Sequence, residues 1–261
     1  MMHRIFWMIV TVILCLRGEG VLGQSDPLTQ CRSMYEGVGV PKYHGSRNFT
    51  ILCRDGYLLS HNNERKVPDW VLESLVPERF QGSGDRDRSQ FAPDPNLPQG
   101  QRAELTDYAG SGYDRGHMAP AADMKYSQAV MDQSFYLSNM APQVGIGFNR
   151  HIWARLEDQV RIWTERRGKL VVITGPIFGA DRIGQNGVAL PTHFYKIVYE
   201  PARRRAIALM LPNEKIRGND LRPFVISIDD IEEFTGLDFL PDLPDSVEPR
   251  IERNVGTLWR Q

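Results

Sequence analysis

The sequence predicts an α+β fold in which strands dominate and a few helices are inserted. Two antiparallel strands are expected at residues 194–199 and 206–211, joined by residues 200–205, because both are short apolar runs. The clearest helix is expected at residues 149–167, where large apolar side chains recur at helical spacing. Strands and helices do not alternate regularly along the chain, and this favours α+β over a doubly wound α/β fold.

The elements before this helix carry weaker signals. Residues 49–60 alternate loosely and contain Asp55-Gly56 near their middle, which predicts a hairpin. A short turn of helix is expected at residues 67–75. Residues 81–101 are rich in Gly, Pro, Asp and Arg and are expected to form a loop, and residues 135–140 a short strand.

The helix at residues 149–167 has an apolar face and a defined end. Gly168 is expected to close it. Its apolar face consists of Trp153, Leu156, Val160 and Trp163. The continuous apolar run at residues 170–174 then predicts a buried strand, ended by Gly175-Pro176.

The amino terminus resembles a targeting segment. A short cationic start, Met1-Met2-His3-Arg4, precedes an apolar stretch at residues 5–16 that is short for a bilayer but suits a signal peptide. Cleavage is expected after Gly23, so residues 1–23 are assigned to a signal peptide. An uncleaved amino-terminal anchor is the alternative, and Glu19 with few Ser or Arg argues against a mitochondrial transit peptide.

Two of the three cysteines remain after such a cleavage, Cys31 and Cys53. In an exported chain an even pair predicts one disulfide, which closes a loop of about twenty residues and contributes roughly 3 kcal/mol. Two unrelated thiols are the alternative, because sequence does not give the distance between them.

Charge is unevenly distributed over the 261 residues. The net charge of −1 excludes a bulk positive field, and 41% hydrophobic residues indicate a globular protein. Residues 225–249 contain eight acidic residues and no Lys or Arg, whereas residues 24–224 contain 26 basic and 22 acidic residues. A body with a net charge of +4 is compatible with nucleic acid binding and equally with ordinary solvated charge.

The densest chemical motif is Tyr-Asp-Arg-Gly-His-Met-Ala-Pro at residues 113–120. His117 could accept a proton from water at neutral pH, and the Arg115 guanidinium could bind a phosphate. Gly116 between them permits close approach of a substrate to the backbone. A structural role for His117 is the alternative from the residues alone.

Asn149 and Glu157 lie two turns apart on the expected helix and can address the same side of it. An amide oxygen with a carboxylate suits a hard cation such as Mg²⁺, which takes few protein ligands and keeps several waters. A helix cap at Asn149 with a surface ion pair at Glu157 is the alternative.

Three motifs in series resemble the DNA/RNA non-specific endonucleases of the ββα-metal superfamily, which include secreted bacterial nucleases and mitochondrial endonuclease G. They are Asp-Arg-Gly-His-Met-Ala-Pro at residues 114–120, Leu-Ser-Asn-x-x-Pro-Gln at 137–143, and Asn-x-x-x-Trp-x-x-Leu-Glu at 149–157. The resemblance extends from about residue 57 to about residue 240. Each pattern alone is weak, but their common order makes the signal specific.

The resemblance implies a central, mostly antiparallel sheet with flanking helices, the general base on a hairpin and the metal ligand on the following helix. Residues 57–261 would form the endonuclease domain, preceded by an extension at residues 24–56. The implied roles are His117 as general base, Asn149 as direct metal ligand, Glu157 as its partner through water, Arg115 as phosphate contact and Asn139 as support for the site. Gln143 and Arg102 are weaker candidates for substrate binding.

The implied activity is Mg²⁺-dependent hydrolysis of DNA and RNA to 5′-phosphate products, with Mn²⁺ as an alternative ion. The expected address is secreted or periplasmic, with membrane-anchored or mitochondrial alternatives, and no stable membrane insertion is expected after cleavage. Related enzymes are often homodimers, and a protein inhibitor is a further expected partner. A catalytically silent nucleic-acid-binding module and a phosphodiesterase for a small or lipid substrate are the competing functions.

Overall fold

The computed structural model describes residues 26–259. The signal peptide expected at residues 1–23, with its cleavage site after Gly23, lies outside the described residues. Within residues 26–259, no helix combines the length and the apolar character needed to cross a membrane.

A seven-stranded antiparallel sheet forms the centre of the fold. The strands in chain order are β1 (Lys42–Tyr43), β2 (Phe49–Cys53), β3 (Leu58–Asn62), β4 (Val67–Leu75), β5 (Tyr113–His117), β6 (Met140–Val144), β7 (Leu170–Ile183), β8 (Val188–Glu200), β9 (Arg205–Pro212), β10 (Val225–Ile226) and β11 (Leu237–Asp238). The central sheet has the order β10-β9-β8-β7-β4-β3-β2. Strands β5 and β6 form a separate antiparallel pair, as do β1 and β11.

Short helices and one long helix cover the sheet. They are α1 (Pro27–Gln30), α2 (Arg32–Tyr35), α3 (Leu105–Tyr108), α4 (Gln128–Ser134), α5 (Ala154–Arg167), α6 (Ile228–Thr235) and α7 (Glu248–Glu252). A π-helical segment, Gly145–Trp153, leads into α5 and is interrupted by non-helical backbone at Ile146 and Gly147. It lies directly between the β5–β6 pair and the long helix.

The sheet separates two apolar cores, because successive side chains of a strand point to opposite faces. In β8, Phe194 and Val198 contribute to one core, whereas Tyr195 and Ile197 contribute to the other. The first core includes the apolar face of α5, and we call its side of the sheet the α5 face. The second core is covered by α6 and α7, and we call its side the α6–α7 face.

The helical turn expected at residues 67–75 is wrong, since these residues form strand β4. β4 lies inside the sheet and pairs with β3 on one side and β7 on the other. Eight of its nine residues are buried, so the polar–apolar alternation of a half-exposed strand is missing from the sequence.

Two expected strand boundaries are also wrong. Residues 135–140 contain the 3₁₀ turn Leu137–Asn139, and strand β6 starts only at Met140. Strand β7 does not end at Gly175-Pro176 but continues to Ile183. Pairing with β4 stops at Thr174, so Pro176 faces no second strand on that side and its missing N–H is tolerated.

Several other predicted elements of the fold are confirmed. A hairpin joins β2 to β3, a helix occupies residues 149–167 with a π-helical start, and β8 and β9 form the expected antiparallel pair. Trp153 and Trp163 are buried in the core. Cys31 and Cys53 form the expected disulfide, with Cα atoms 5.7 Å apart, and it ties the start of α2 to the edge strand β2.

Candidate active site

Strands β5 and β6 place Arg115 and His117 at the edge of a cleft on the α5 face. The register pairs Gly116 with Ala141 and His117 with Met140. The cleft has a volume of about 690 Å³. Its charged and histidine lining consists of Arg86, Asp114, Arg115, His117, Arg150, Glu157, Asp158 and Arg161, together with the amide of Asn149.

Aromatic rings surround the imidazole of His117. The Phe135 ring meets it edge-on at 4.8 Å between centroids, and the Phe91 ring lies at 5.7 Å. Its Nε2 is buried and has no hydrogen-bond partner among the described residues. Burial, and secondarily the positive charge of Arg86, lower the pKa of His117 to about 3. The imidazole is therefore neutral at pH 7.

Gly116 is needed because the side chain of Gln143 lies against it. A Cβ built at Gly116 would be 2.1 Å from both Cδ and Oε1 of Gln143. Gln143 is fully buried, and neither atom of its amide end has a partner among residues 26–259. The structure thus buries the Gln143 side chain against the β5–β6 pair to which it belongs and does not bring it to the cleft lining.

The Gly116→Ala variant is expected to lose about 1–3 kcal/mol of stability, because the added methyl group overpacks the contact with Gln143. Urea denaturation measures this loss as a lower midpoint. The double variant Gly116→Ala/Gln143→Ala is the matched control, since removing the obstructing side chain should make the combined loss smaller than the sum of the single losses. Strictly additive losses would show that the two residues are not in contact.

Asp114 fixes the orientation of the Asn149 amide. The Asn149 Nδ2 donates to Asp114 Oδ2 at 2.9 Å, and Arg150 Nε donates to the same oxygen at 2.8 Å. Burial alone would raise the pKa of Asp114, but the hydrogen bonds from Arg150 and Asn149 outweigh it and lower that pKa. With Nδ2 committed, Asn149 Oδ1 accepts no hydrogen bond from the described residues and remains available as an oxygen ligand.

Glu157 reaches the cleft from α5 and belongs to a buried group of charges. Burial raises its pKa to about 7, while Lys196 and Arg161 favour the ionised form. Lys196 is almost fully buried, donates from Nζ to Thr174 Oγ1 at 2.6 Å, and lies 5.0 Å from the centre of the Trp153 ring. Burial lowers the pKa of Lys196 and the nearby carboxylates, Glu157 first, oppose that shift, so Lys196 and Glu157 each favour the charged form of the other.

Arg161 connects the cleft to a second buried carboxylate. Its Nη1 donates to Asp123 Oδ1 at 2.8 Å. Asp123 is 3% exposed and depends on Arg161 and Lys196. Glu73 is 1% exposed and depends on Arg79 and Lys196. Sequence reasoning assigned no role to these residues. The one signal in the sequence is Lys196 itself, a cation within the otherwise apolar run at residues 194–199.

The cleft also exposes cations suited to an anionic substrate. The Arg115 guanidinium stacks on the Phe91 ring at 4.3 Å, which limits the positions it can adopt. Arg86 and Arg150 line the same cleft, and neither was identified from sequence. Four arginines and three carboxylates line the cleft, so its lining carries a small excess of positive charge.

Two further predicted site residues lie outside the cleft lining. Asn139 is fully buried, and its side chain bonds both backbone groups of Ala119 at 2.9 Å and the carbonyl of Ser134 at 2.8 Å. It therefore holds the backbone that directly follows His117. Arg102 is bound to Glu104 and to the backbone carbonyls of Asp94 and Leu97, so its guanidinium is engaged in structural contacts.

The chain is similar to known nucleases over most of its length. The family model described as DNA/RNA non-specific endonuclease matches residues 38–246. Nuclease C1 of Cunninghamella echinulata var. echinulata is 44% identical over 210 residues, which cover 74% of this chain and 83% of that protein. Endonuclease G, mitochondrial, of Homo sapiens is 39% identical over 209 residues, which cover 74% of this chain and 70% of that protein.

A solved structure agrees with these similarities. The EndoG/EndoGI complex, determined to explain inhibition of EndoG, contains a chain that matches with a TM-score of 0.76 at 32% identity, covering 86% of this chain and 96% of that one. The β5–β6 pair followed by α5 is the expected ββα unit, so the predicted fold is confirmed. The chain therefore belongs to the DNA/RNA non-specific endonucleases, a family of metal-dependent nucleases that act on nucleic acids.

Proposed function

We propose that this chain hydrolyses the phosphodiester bonds of DNA and RNA with Mg²⁺ as its cofactor, Mn²⁺ being the alternative ion. The single observation that carries the proposal is one cleft lined by a neutral histidine, an amide with an uncommitted oxygen, and arginines. These are the parts that activation of water at a phosphodiester requires. The products are expected to carry 5′-phosphates.

Asn149 and Glu157 are the residues that would hold the cation. A neutral amide oxygen as the one direct protein ligand leaves the charge of the ion available to the substrate, and Glu157 would bind through water of the hydration shell. When bound, the ion supplies Lewis-acid polarisation of the phosphate and stabilises the leaving oxygen. The fixed orientation of Asn149, set by Asp114, fits this role.

His117 takes the proton of the attacking water. Because Nε2 is buried among aromatic rings, Nδ1 is the nitrogen that can accept this proton from the cleft, with Nε2 carrying the hydrogen of the neutral ring. A pKa of about 3 describes the cleft without substrate. A bound phosphate would offset the charge of Arg86, which is the smaller cause of the shift, and so raise the pKa of His117 from this value.

Arg115 binds and orients the phosphate, and it stabilises the charge that develops during attack. Its position over Phe91 limits its freedom, so less entropy is lost on binding. Contacts to phosphate carry little sequence information, which supports cleavage without sequence preference. The proposed mechanism uses no 2′-hydroxyl group, so both sugars are acceptable.

The test is digestion of supercoiled plasmid and of single-stranded RNA by the purified protein, with Mg²⁺ or with excess EDTA. Loss of both substrates only with Mg²⁺ is expected, and the new 5′ ends should accept label from a kinase only after phosphatase treatment. Binding without cleavage would favour the silent nucleic-acid-binding module. Inactivity on both nucleic acids together with turnover of a small phosphodiester would favour a phosphodiesterase for a small or lipid substrate.

The proposed cellular location is outside the cytosol, because the chain carries a disulfide and disulfides persist in oxidising compartments. Secretion by a signal peptide at residues 1–23 and a mitochondrial location are the two forms of this proposal. Relatives named as mitochondrial nucleases, including those of Homo sapiens and Saccharomyces cerevisiae, favour the mitochondrial form. Sequencing the amino terminus of the mature protein from fractionated cells distinguishes the two.

Two protein partners are part of the proposal. The EndoG/EndoGI complex shows that the related nuclease binds an inhibitor, and a protein inhibitor that covers the arginine-lined cleft is proposed here as well. A homodimer is also proposed, because related enzymes are often homodimers. Light scattering of the purified protein measures its molar mass in solution and so tests for the dimer.

A further inference from the structure

Three carboxylates meet between α6 and α7, on the α6–α7 face of the sheet. Asp229 and Glu232 are separated by one turn of α6, and Glu252 is the last residue of α7. One oxygen from each of the three lies within 4.8 Å of the others. We call Asp229, Glu232 and Glu252 the α6–α7 triad. It falls on the face opposite the catalytic cleft.

The sequence of α6 places Asp229 and Glu232 on the same side of the helix. Ser227 caps the helix through a capping box with Asp230, so the helix starts at a fixed residue. Ile228 and Ile231 turn inward to the second core. Asp229 and Glu232 are neighbours across one turn, and they are left at the side of α6 where it meets α7.

Glu252 is the unusual member of the triad. It is only 7% exposed, and its Oε1 is buried without a hydrogen-bond partner among the described residues. A buried carboxylate oxygen is normally satisfied by a donor or a cation, because its lost hydration is costly. The carboxylate of Glu252 lies close to those of Asp229 and Glu232. The missing donor or cation for its buried oxygen therefore indicates a ligand at the triad itself.

The protein supplies little positive charge in return. Arg253 Nε lies 3.7 Å from Asp229 Oδ2, and both side chains are exposed to solvent. Glu232 Oε1 accepts a hydrogen bond from the Phe239 backbone at 2.7 Å. Burial first, and then the neighbouring carboxylates, raise the pKa of Glu252 to about 9 and that of Glu232 to about 7. The triad thus repels itself when it is ionised.

We propose that Asp229, Glu232 and Glu252 bind one calcium ion, at a site separate from the catalytic cation. All the ligand atoms are oxygens, which hard cations prefer, and Ca²⁺ accepts several carboxylates in a flexible geometry, whereas Mg²⁺ requires near-octahedral geometry and keeps most of its water. Three oxygens within 4.8 Å of one another share a centre at most about 2.8 Å from each, so only small side-chain shifts separate them from calcium–oxygen distances of about 2.3–2.6 Å. Water completes the coordination.

The bound ion would join α7 to α6 and thereby hold the carboxyl-terminal segment against the sheet. Ile251 of α7 and Ile231 of α6 both belong to the second core, so a link at Glu252 would act next to side chains that already hold the two helices to the sheet. Because the triad and the cleft are on opposite faces, calcium binding is expected to affect stability and to leave the chemical step unchanged.

Thermal unfolding of the full chain in chelator-treated buffer tests this site, with calcium chloride or magnesium chloride added at about 1 mM. Ca²⁺ is expected to raise the Tm of the wild type by about 5 °C, and more than Mg²⁺ does. The Glu252→Gln variant should lose this response. The matched control is Glu233→Gln, which removes the same charge from an exposed position one residue from the triad and should keep the full shift.

The Asn149→Ala variant separates this site from the catalytic one, and it should keep the calcium-induced shift. If Glu252→Gln does not fold, Asp229→Asn, which is less buried, takes its place in the same comparison. A wild type without a calcium shift would overturn the proposal, as would a Glu252→Gln variant with an undiminished shift. If calcium does not change the Tm of the wild type and Glu252→Gln is more stable than the metal-free wild type, the three carboxylates share protons and bind no calcium.

Discussion

Replacement of His117 by alanine is expected to lower the rate of plasmid cleavage by about 10²–10⁴-fold, which is the usual contribution of a general base. The neutral imidazole lies in the arginine-lined cleft and has no partner of its own among the described residues at Nε2. Binding of an uncleaved oligonucleotide should change little, because the arginines that contact phosphate remain. The readouts are single-turnover cleavage and fluorescence anisotropy of a labelled duplex.

The control for His117→Ala is His44→Ala, which removes an exposed imidazole away from the cleft and should retain full activity. Since His117 packs against Phe91 and Phe135, its removal also leaves a small cavity. Thermal unfolding of the variant must therefore show that it is folded at the assay temperature. Cleavage at the wild-type rate by folded His117→Ala would exclude this residue as the base.

Replacement of Asn149 by alanine is expected to reduce cleavage by at least about 10²-fold at a fixed Mg²⁺ concentration, because loss of a cation removes several kcal/mol of transition-state stabilisation. The Mg²⁺ concentration for half-maximal rate should rise. This second readout separates loss of a metal ligand from loss of a helix cap, which would not change the Mg²⁺ dependence. Rates measured across a Mg²⁺ titration provide both values.

Asn254→Ala, at an exposed position outside the cleft, is the matched control and should behave as the wild type. The Asn149→Asp variant adds a sharper comparison. It keeps an oxygen ligand but loses the Nδ2 donor and places a second carboxylate beside Asp114. It should recover activity only in part, since the amide orientation is lost. Unchanged Mg²⁺ dependence in both Asn149 variants would remove Asn149 from the metal site.

Local patterns predicted some elements of the fold well. The helix at residues 149–167 was predictable because Trp153 and Trp163 mark an apolar stripe and Gly168 a stop. Strand β4 was not, because nearly every residue of it is buried and its sequence has no period. The end of β7 was misjudged because the effect of Pro176 depends on whether a strand lies beside it, which is a tertiary property.

For the site as well, local sequence motifs predicted some residues, whereas others could be recognised only from contacts in the folded structure. The motifs gave His117, Arg115, Asn149 and Glu157, and all four line one cleft. The roles of Asp114 and Lys196 arise from contacts that span 35 residues in the first case and different strands in the second. No spacing rule in the sequence links those partners. The motifs thus named the groups at the cleft, whereas the charges that orient them depended on the folded structure.

Lys196 also affects which pairings of β8 are permitted. A slip of β8 by one residue would exchange its two sides, placing Lys196 among the apolar side chains of the α6–α7 face and Tyr195 over Trp153. The lysine would then lose Thr174 and become an unpaired buried charge, at a cost of several kcal/mol. A single ammonium group thus makes misregistered forms of the sheet unstable, so the buried charge next to the cleft also contributes to folding fidelity.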